Sequence, residues 1–365
     1  LLIVSIARAS LYTYIYPYFF EKRVFKGLYY IPDKSEEEIV NSLIRQGAPL
    51  NSYDYIALRY LYSKPKKGWV RVDSFCSANE FLASLQKLER EKTRRVVFYS
   101  GDTLEIFFKT FCTQANLDKA RLYRWYRYYS PYKEGGIVAG YYRLPYRLDA
   151  RAAMAYMTQK SEDIFRKFAL KYLGEYNPES FRRYLIIASI IQKETWRSEE
   201  MKNISAVIYN RLERGMKLQL DATLNYGKYS DKTVSAYRIR HDNSRYNTYR
   251  YYGLPPEILA SVTEDALEAA FERSRKEYLY FVRDLFGRHL FSKTYSEHLA
   301  KITRLKVQRA RLRQYRRINE GAKHQRVCET RTNKHISDGK KAQERRASKH
   351  RERGKREKGR KDSSS

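Results

Sequence analysis

A chain of 365 residues with 42% hydrophobic content is long enough for two modest domains plus tails and can bury a real core, which excludes a wholly disordered protein. Its formal charge of +32 points to an anionic partner such as a membrane surface, nucleic acid or an acidic wall polymer. The cysteines, Cys76, Cys112 and Cys328, are scattered, odd in number and without metal-ligand spacing, which argues against both a disulfide scaffold and a zinc site.

Residues 1–20, LLIVSIARASLYTYIYPYFF, are almost continuously apolar or aromatic, interrupted by Arg8 and Pro17. The length and the tyrosine-rich end predict an uncleaved transmembrane signal anchor; the alternative is an amphipathic or buried N-terminal segment. Residues 24–110 carry an internal echo. YIPDKSEEEI predicts a strand, a turn at Pro32 and Asp33, and a helix capped by Ser35 with Glu38 three positions on. FYSGDTLEIF repeats the design with Thr103 as the cap. Between them KKGWVRVDSF reads as a strand through Trp69, Val70, Val72 and Phe75. No cluster of acids or histidines lies here, so the region suits binding or spacing.

Residues 111–175, rich in Tyr and Arg, connect the two halves and include a helix from about Asp149 to Tyr172. Asn177 then caps a helix that starts at Pro178, where the missing amide proton does no harm, and runs through FRRYLIIASIIQKE. Ser198 is the next predicted cap, before an amphipathic helix that stops at Gly215. Thr263 starts a further helix, and residues 278–282 and 289–292 form a hairpin across Asp284 and Gly287. The catalytic candidate region, 176–300, is therefore α+β, with no Gly-rich phosphate loop. Residues 301–365 hold 24 Lys or Arg against 7 Asp or Glu, and their composition predicts a disordered tail. That tail lacks aromatic interleaving and a recognition-helix pattern, which argues against a nucleic-acid partner.

The candidate for chemistry is Glu194, which by position alone also fits a solvated helix cap or an ion-pair partner. Ile187, Ile190 and Ile191 lie seven, four and three positions before it, on one helical face, and an apolar surround disfavours the charged form of a carboxyl group. An acid that donates to a glycosidic oxygen needs that property. GMKLQLDATLNYG, on a predicted strand or loop, offers Gln219, Asp221, Asn225 and Tyr226. YNTYRYYGLPP supplies Asn247, Thr248 and Tyr249 before a stiffening double proline. Amides, hydroxyls and rings around one acid describe a carbohydrate groove.

With these blocks the chain resembles the endolytic murein transglycosylase family, the YceG-like proteins, over roughly residues 24–300, weakly in the first half and strongly from 183 to 292. The blocks that carry the resemblance are YLIIASIIQKET, VIYNRLERGMKLQLDATLNYG, YNTYRYYGLPP and YLYFVRDLFGRHLFS. Many members have two glutamates around the signature lysine; this chain has Gln192 first and Glu194 second, and the essential acid aligns with Glu194. The resemblance implies a membrane anchor at 1–20, a LysM-like region within 24–110, and a catalytic domain with a lysozyme-like active-site helix at 176–300. It implies a protein of the bacterial inner membrane, single-pass, with its catalytic body in the periplasm. No cofactor or metal is implied. The expected partners are peptidoglycan glycan strands, the inner membrane and peptidoglycan-synthesising enzymes. The expected reaction is cleavage, without water, of the MurNAc-β-1,4-GlcNAc bond in nascent strands. Two alternatives stay open: a hydrolase using Asp221 as second carboxylate, and a non-catalytic wall-binding scaffold. Two features depart from the family: AGYYRLPYRL at 139–148 replaces a Phe-Pro-x-Thr-Tyr region, and the basic tail is foreign to it.

Overall fold

Local capping sets the first element boundaries. The computed structural model describes residues 16–230 and 232–315, with positions 13, 319 and 341 in isolation. Helix α1 (Tyr16–Phe20) leads into strand β1 (Arg23–Ile31). Ser35 caps α2 (Glu36–Arg45): its hydroxyl accepts from the Glu38 amide, and the Glu38 carboxylate accepts from the Ser35 amide, so two otherwise unpaired donors are satisfied. After α3 (Tyr55–Tyr60), strand β2 (Gly68–Cys76) returns antiparallel to β1, from Ile31 opposite Gly68 to Arg23 opposite Cys76. Helix α4 (Ala78–Ser84), capped reciprocally by Ser77 and Glu80, covers this hairpin. Phe25, Ile39, Leu43, Val70 and Phe81 form its core, with the Phe25 and Phe81 rings stacked at 4.1 Å.

The second strand-turn-helix unit follows the predicted plan: β3 (Thr93–Phe98), then α5 (Leu104–Ala115) with the Thr103 hydroxyl as cap. Beyond α6 (Lys119–Tyr129), strand β4 (Gly140–Pro145) pairs with β3, Thr93 opposite Pro145. Helix α7 (Ala150–Leu173) then runs between an Asp149 cap and Gly174 in the left-handed region. Phe98, Phe108, Tyr126, Tyr142 and Met157 make a second core, and Trp69 of β2 joins it by donating its indole N–H to the Arg143 carbonyl at 2.9 Å. The turn before β4 needs its two glycines. A Cβ on Gly135, at φ +74, would stand 2.4 Å from Ile258, and one on Gly136 would stand 2.0 Å from the Ser130 hydroxyl.

Helices α8 (Pro178–Glu194), α9 (Ser198–Glu213), α10 (Asp221–Leu224), α11 (Ala236–His241) and α12 (Glu264–Phe271) complete this first unit, which ends at Leu279. Asn177 and Pro178 begin α8 as expected. Ser198 does not cap α9: the cap position is Arg197, without a side-chain bond, and the Ser198 hydroxyl donates to Asp265. The second unit, from Tyr280 on, contains the hairpin of β5 (Tyr280–Arg283) and β6 (His289–Ser292). Residues 295–315 are helical, so helical order continues past Leu299; nearly all of 316–365 lies outside the described residues.

The architecture is α+β, but the anchor expected at 1–20 is corrected, and with it the inner-membrane, single-pass location and the membrane as partner. Among the described residues no helix is long and apolar enough to cross a membrane. The described end of that segment, α1, has five residues, and its Tyr18 packs into the core of Phe25 and Phe81. Most of residues 1–15 lie outside the described residues.

Candidate active site

Helix α8 is buried almost continuously from Leu185 to Gln192 and delivers Glu194 as its last, half-buried residue. Ile187, Ile190 and Ile191 are fully buried, as the helical spacing predicted. The chain leaves α8 in an extended conformation at Thr195, whose amide donates to the Ile191 carbonyl at 3.0 Å. The buried Thr195 hydroxyl donates to Glu200 on α9 at 3.1 Å and accepts from the Arg197 amide at 3.1 Å. This clasp fixes the turn, and therefore the direction in which Glu194 leaves the helix.

Two further side chains hold α8 from the other side. The Ser189 hydroxyl accepts from the Leu259 amide at 3.0 Å. The Gln192 side-chain oxygen accepts from both the amide (3.1 Å) and the hydroxyl (2.8 Å) of Thr263, the cap of α12. One oxygen of Gln192 thus ties α8 to the cap of α12 through two accepted bonds.

The Glu194 carboxylate accepts from the Ala222 amide in the first turn of α10 at 3.3 Å. Asp221, one residue earlier, accepts from the Tyr249 hydroxyl at 2.7 Å. Burial, then the Asp221 bond, and then the charges of Asp221 and Glu194 push the Tyr249 phenol well up, so it stays a donor. Glu194, Asp221 and Tyr249 therefore share one wall.

The other predicted residues build that wall. The Gln219 amide donates to the Thr248 carbonyl at 3.1 Å, and its backbone stands in the left-handed region at φ 51. Thr248 is buried; its hydroxyl accepts from the Leu220 amide at 3.1 Å and bonds the Thr223 hydroxyl at 2.9 Å. Asn247 is fully buried and donates to the carbonyls of Ile239 (2.9 Å) and Asp242 (2.8 Å). The Asn225 amide, oriented to suit its neighbours, donates to the carbonyls of Tyr229 and Lys232. The Tyr226 ring stacks on Tyr246 at 3.8 Å.

Sequence reasoning missed two residues. Arg211, buried on α9, donates to the carbonyls of Lys217 (3.1 Å), Leu218 (2.8 Å) and Leu279 (2.6 Å) and to the Gln219 side chain (3.3 Å), clamping the loop before Asp221. A charged residue on a helix whose apolar face is clear gave no sign of this. Trp196, two residues after Glu194, is 75% exposed with the Arg197 guanidinium 4.6 Å from its ring. The sequence signal for it is a tryptophan two positions after the candidate acid.

Glu194, at the end of its helix, thus stands near Asp221, which the Tyr249 hydroxyl holds, with the exposed Trp196 ring two residues on. The model of the YceG-like family matches residues 29–304, and the chain belongs to that family. It is similar to the endolytic murein transglycosylase of Bacillus subtilis (strain 168), at 36% identity over 124 residues, 33% of this chain and 34% of the relative. The endolytic murein transglycosylase of Streptococcus pneumoniae serotype 2 is 34% identical over 120 residues, 31% of this chain and 22% of that protein. These matches span only about a third or less of each relative's length. A solved YceG-like protein from Listeria monocytogenes covers 75% of this chain and 98% of its own, with 23% identity and a TM-score of 0.49.

Proposed function

We propose that this protein is an endolytic peptidoglycan lytic transglycosylase that cleaves MurNAc-β-1,4-GlcNAc bonds within glycan strands and leaves 1,6-anhydromuramoyl ends. The observation that carries the reading is Glu194 at the end of its buried helix, held between the Thr195–Glu200 clasp and the Ala222 amide. In the reaction the Glu194 carboxylic acid protonates the glycosidic oxygen as the C1–O bond breaks. The muramoyl C6 hydroxyl then attacks C1, and its proton returns to the Glu194 carboxylate. No water is consumed and the acid is regenerated. One carboxylate serves both steps because the nucleophile is tethered to the substrate.

A hydrolase would instead need a second carboxylate free to activate water or attack. Asp221 is engaged by the Tyr249 hydroxyl, which supports an orienting role. Mass analysis of digested glycan ends tests the proposal. Anhydromuramoyl ends are expected from the unmodified protein, and Glu194→Gln is expected to lower the rate by at least about a thousandfold, the upper part of what acid-base and electrostatic groups supply. Reducing muramic acid ends would point to hydrolysis, and an undiminished rate in the variant would remove Glu194 from the mechanism.

A further inference from the structure

The three tryptophans of the chain differ sharply in burial. Trp69 is 2% exposed in the second core, and Trp125 packs against the rings of Tyr128 (5.6 Å) and Tyr129 (5.9 Å). Trp196 is 75% exposed. One exposed apolar side chain is ordinary on a protein surface, but three local features set this one apart.

The backbone on either side of it is fixed. Thr195 (φ −147, ψ 148) and Arg197 (φ −86, ψ 110) are both extended. The Thr195 amide donates to the Ile191 carbonyl at 3.0 Å, the Arg197 amide to the Thr195 hydroxyl at 3.1 Å, and the Glu200 amide to the Arg197 carbonyl at 3.0 Å. Side chains alternate along an extended chain, so the burial of Thr195 throws Trp196 outward. Its position is the second feature: Trp196 follows Glu194 by two residues, which holds the two Cα atoms within about 7 Å of each other. The third is the ring itself. The Arg197 guanidinium, 4.6 Å from the centroid, braces one face, and a ring so exposed keeps the opposite face in solvent.

We infer that Trp196 is a stacking platform for the sugar next to the bond cut at Glu194, and so a specificity-determining residue of this chain. A β-linked pyranose carries C–H bonds on its flat faces, and an indole covers such a face while the sugar hydroxyls stay in water. A platform held from both sides loses little freedom when the strand arrives. The inference rests on the glycan-cleaving function proposed above. It assigns this grip to the C–H face of the sugar and not to its acid groups, so an acidic and a neutral strand should use it alike.

Acrylamide quenching of tryptophan fluorescence tests this in the full chain carrying Glu194→Gln, which leaves the probe uncut. The probes are a stem-free GlcNAc-MurNAc tetrasaccharide and neutral chitotetraose. The same titration with Trp196→Phe added gives the signal of Trp69 and Trp125 alone. Both saccharides are expected to shield Trp196, and the extra shielding should vanish in the chain with Trp196→Phe. With Glu194 intact, Trp196→Ala should raise KM for glycan cleavage about tenfold and leave kcat within about twofold, because the contact is made equally before and during bond breaking. Trp196→Phe, which keeps a flat ring, should recover most of that loss, and Trp196→Leu should not. Trp196 is exposed, so these replacements leave the fold intact, as thermal unfolding would verify. The inference is overturned if neither saccharide shields Trp196 or if only the acidic one does. An unchanged KM in Trp196→Ala would also overturn it, and a fall in kcat alone would make Trp196 part of the turn that directs Glu194 instead. Shielding is read in a chain that does not cut, so shielding without cleavage by the unmodified protein would count against the Glu194 mechanism alone.

Discussion

Glu134 stands in the glycine turn before β4, and its carboxylate accepts from the Leu104 amide at 3.0 Å and the Gly135 amide at 3.3 Å. Burial pushes it up to about 7 from an ordinary 4.5, against the lowering pull of those two amides and of Lys193. Between these values the folded protein holds a proton that the unfolded chain has lost. Stability from this group is therefore full below the unfolded value and is lost as the pH rises through 7, a swing on the order of 3 kcal/mol. Glu134→Gln keeps an acceptor for the Leu104 amide but cannot ionise. Urea unfolding at about pH 5 and about pH 8 should show the unmodified protein losing stability toward the higher pH, and the variant losing less by up to that amount. Parallel pH dependence in both proteins would show that Glu134 titrates normally.

The wall beside Glu194 depends on two segments that pair only in the folded protein, residues 217–224 and 246–249. Thr248 joins them: its hydroxyl is the acceptor for the Leu220 amide directly before Asp221. Thr248→Val keeps the shape and strands a buried amide, so a loss of about 1–3 kcal/mol is expected in urea unfolding, with slower glycan cleavage because Asp221 and Ala222 are no longer held. Thr248→Ser, which retains the hydroxyl, should restore most of both; equal damage in the two variants would place the effect in the methyl group instead. This pairing also marks the limit of sequence reading. Ser35 with Glu38, Thr103, Asp149 and Asn177 with Pro178 act within three residues of themselves, and the structure has each as a helix cap. The partners of Thr248, Asn247 and Gln192 come from 28, 8 and 71 residues away, and nothing in local pattern separates such buried tethers from groove-facing polar groups. The pairing of β3 with β4, across two helices, was hidden for the same reason.

At the scale of the whole chain, the formal charge of +32 acts over distances that individual ion pairs do not reach. Residues 316–365 carry 18 Lys or Arg against 7 Asp or Glu, so a chain that ends at Tyr315 keeps +21. Exposed charges are screened beyond about 10 Å at 0.1 M salt, and a field of one sign accelerates encounters with an oppositely charged polymer. Stopped-flow association with an acidic glycan should therefore slow markedly, by about tenfold, between about 50 and about 300 mM salt. Neutral chitotetraose should show no such change. Removing residues 316–365 should reduce the salt slope without abolishing it, because most of the charge stays with residues 1–315. A slope that vanished with the tail would assign the steering to those fifty residues. A slope unchanged by the deletion would assign it to residues 1–315, which keep +21.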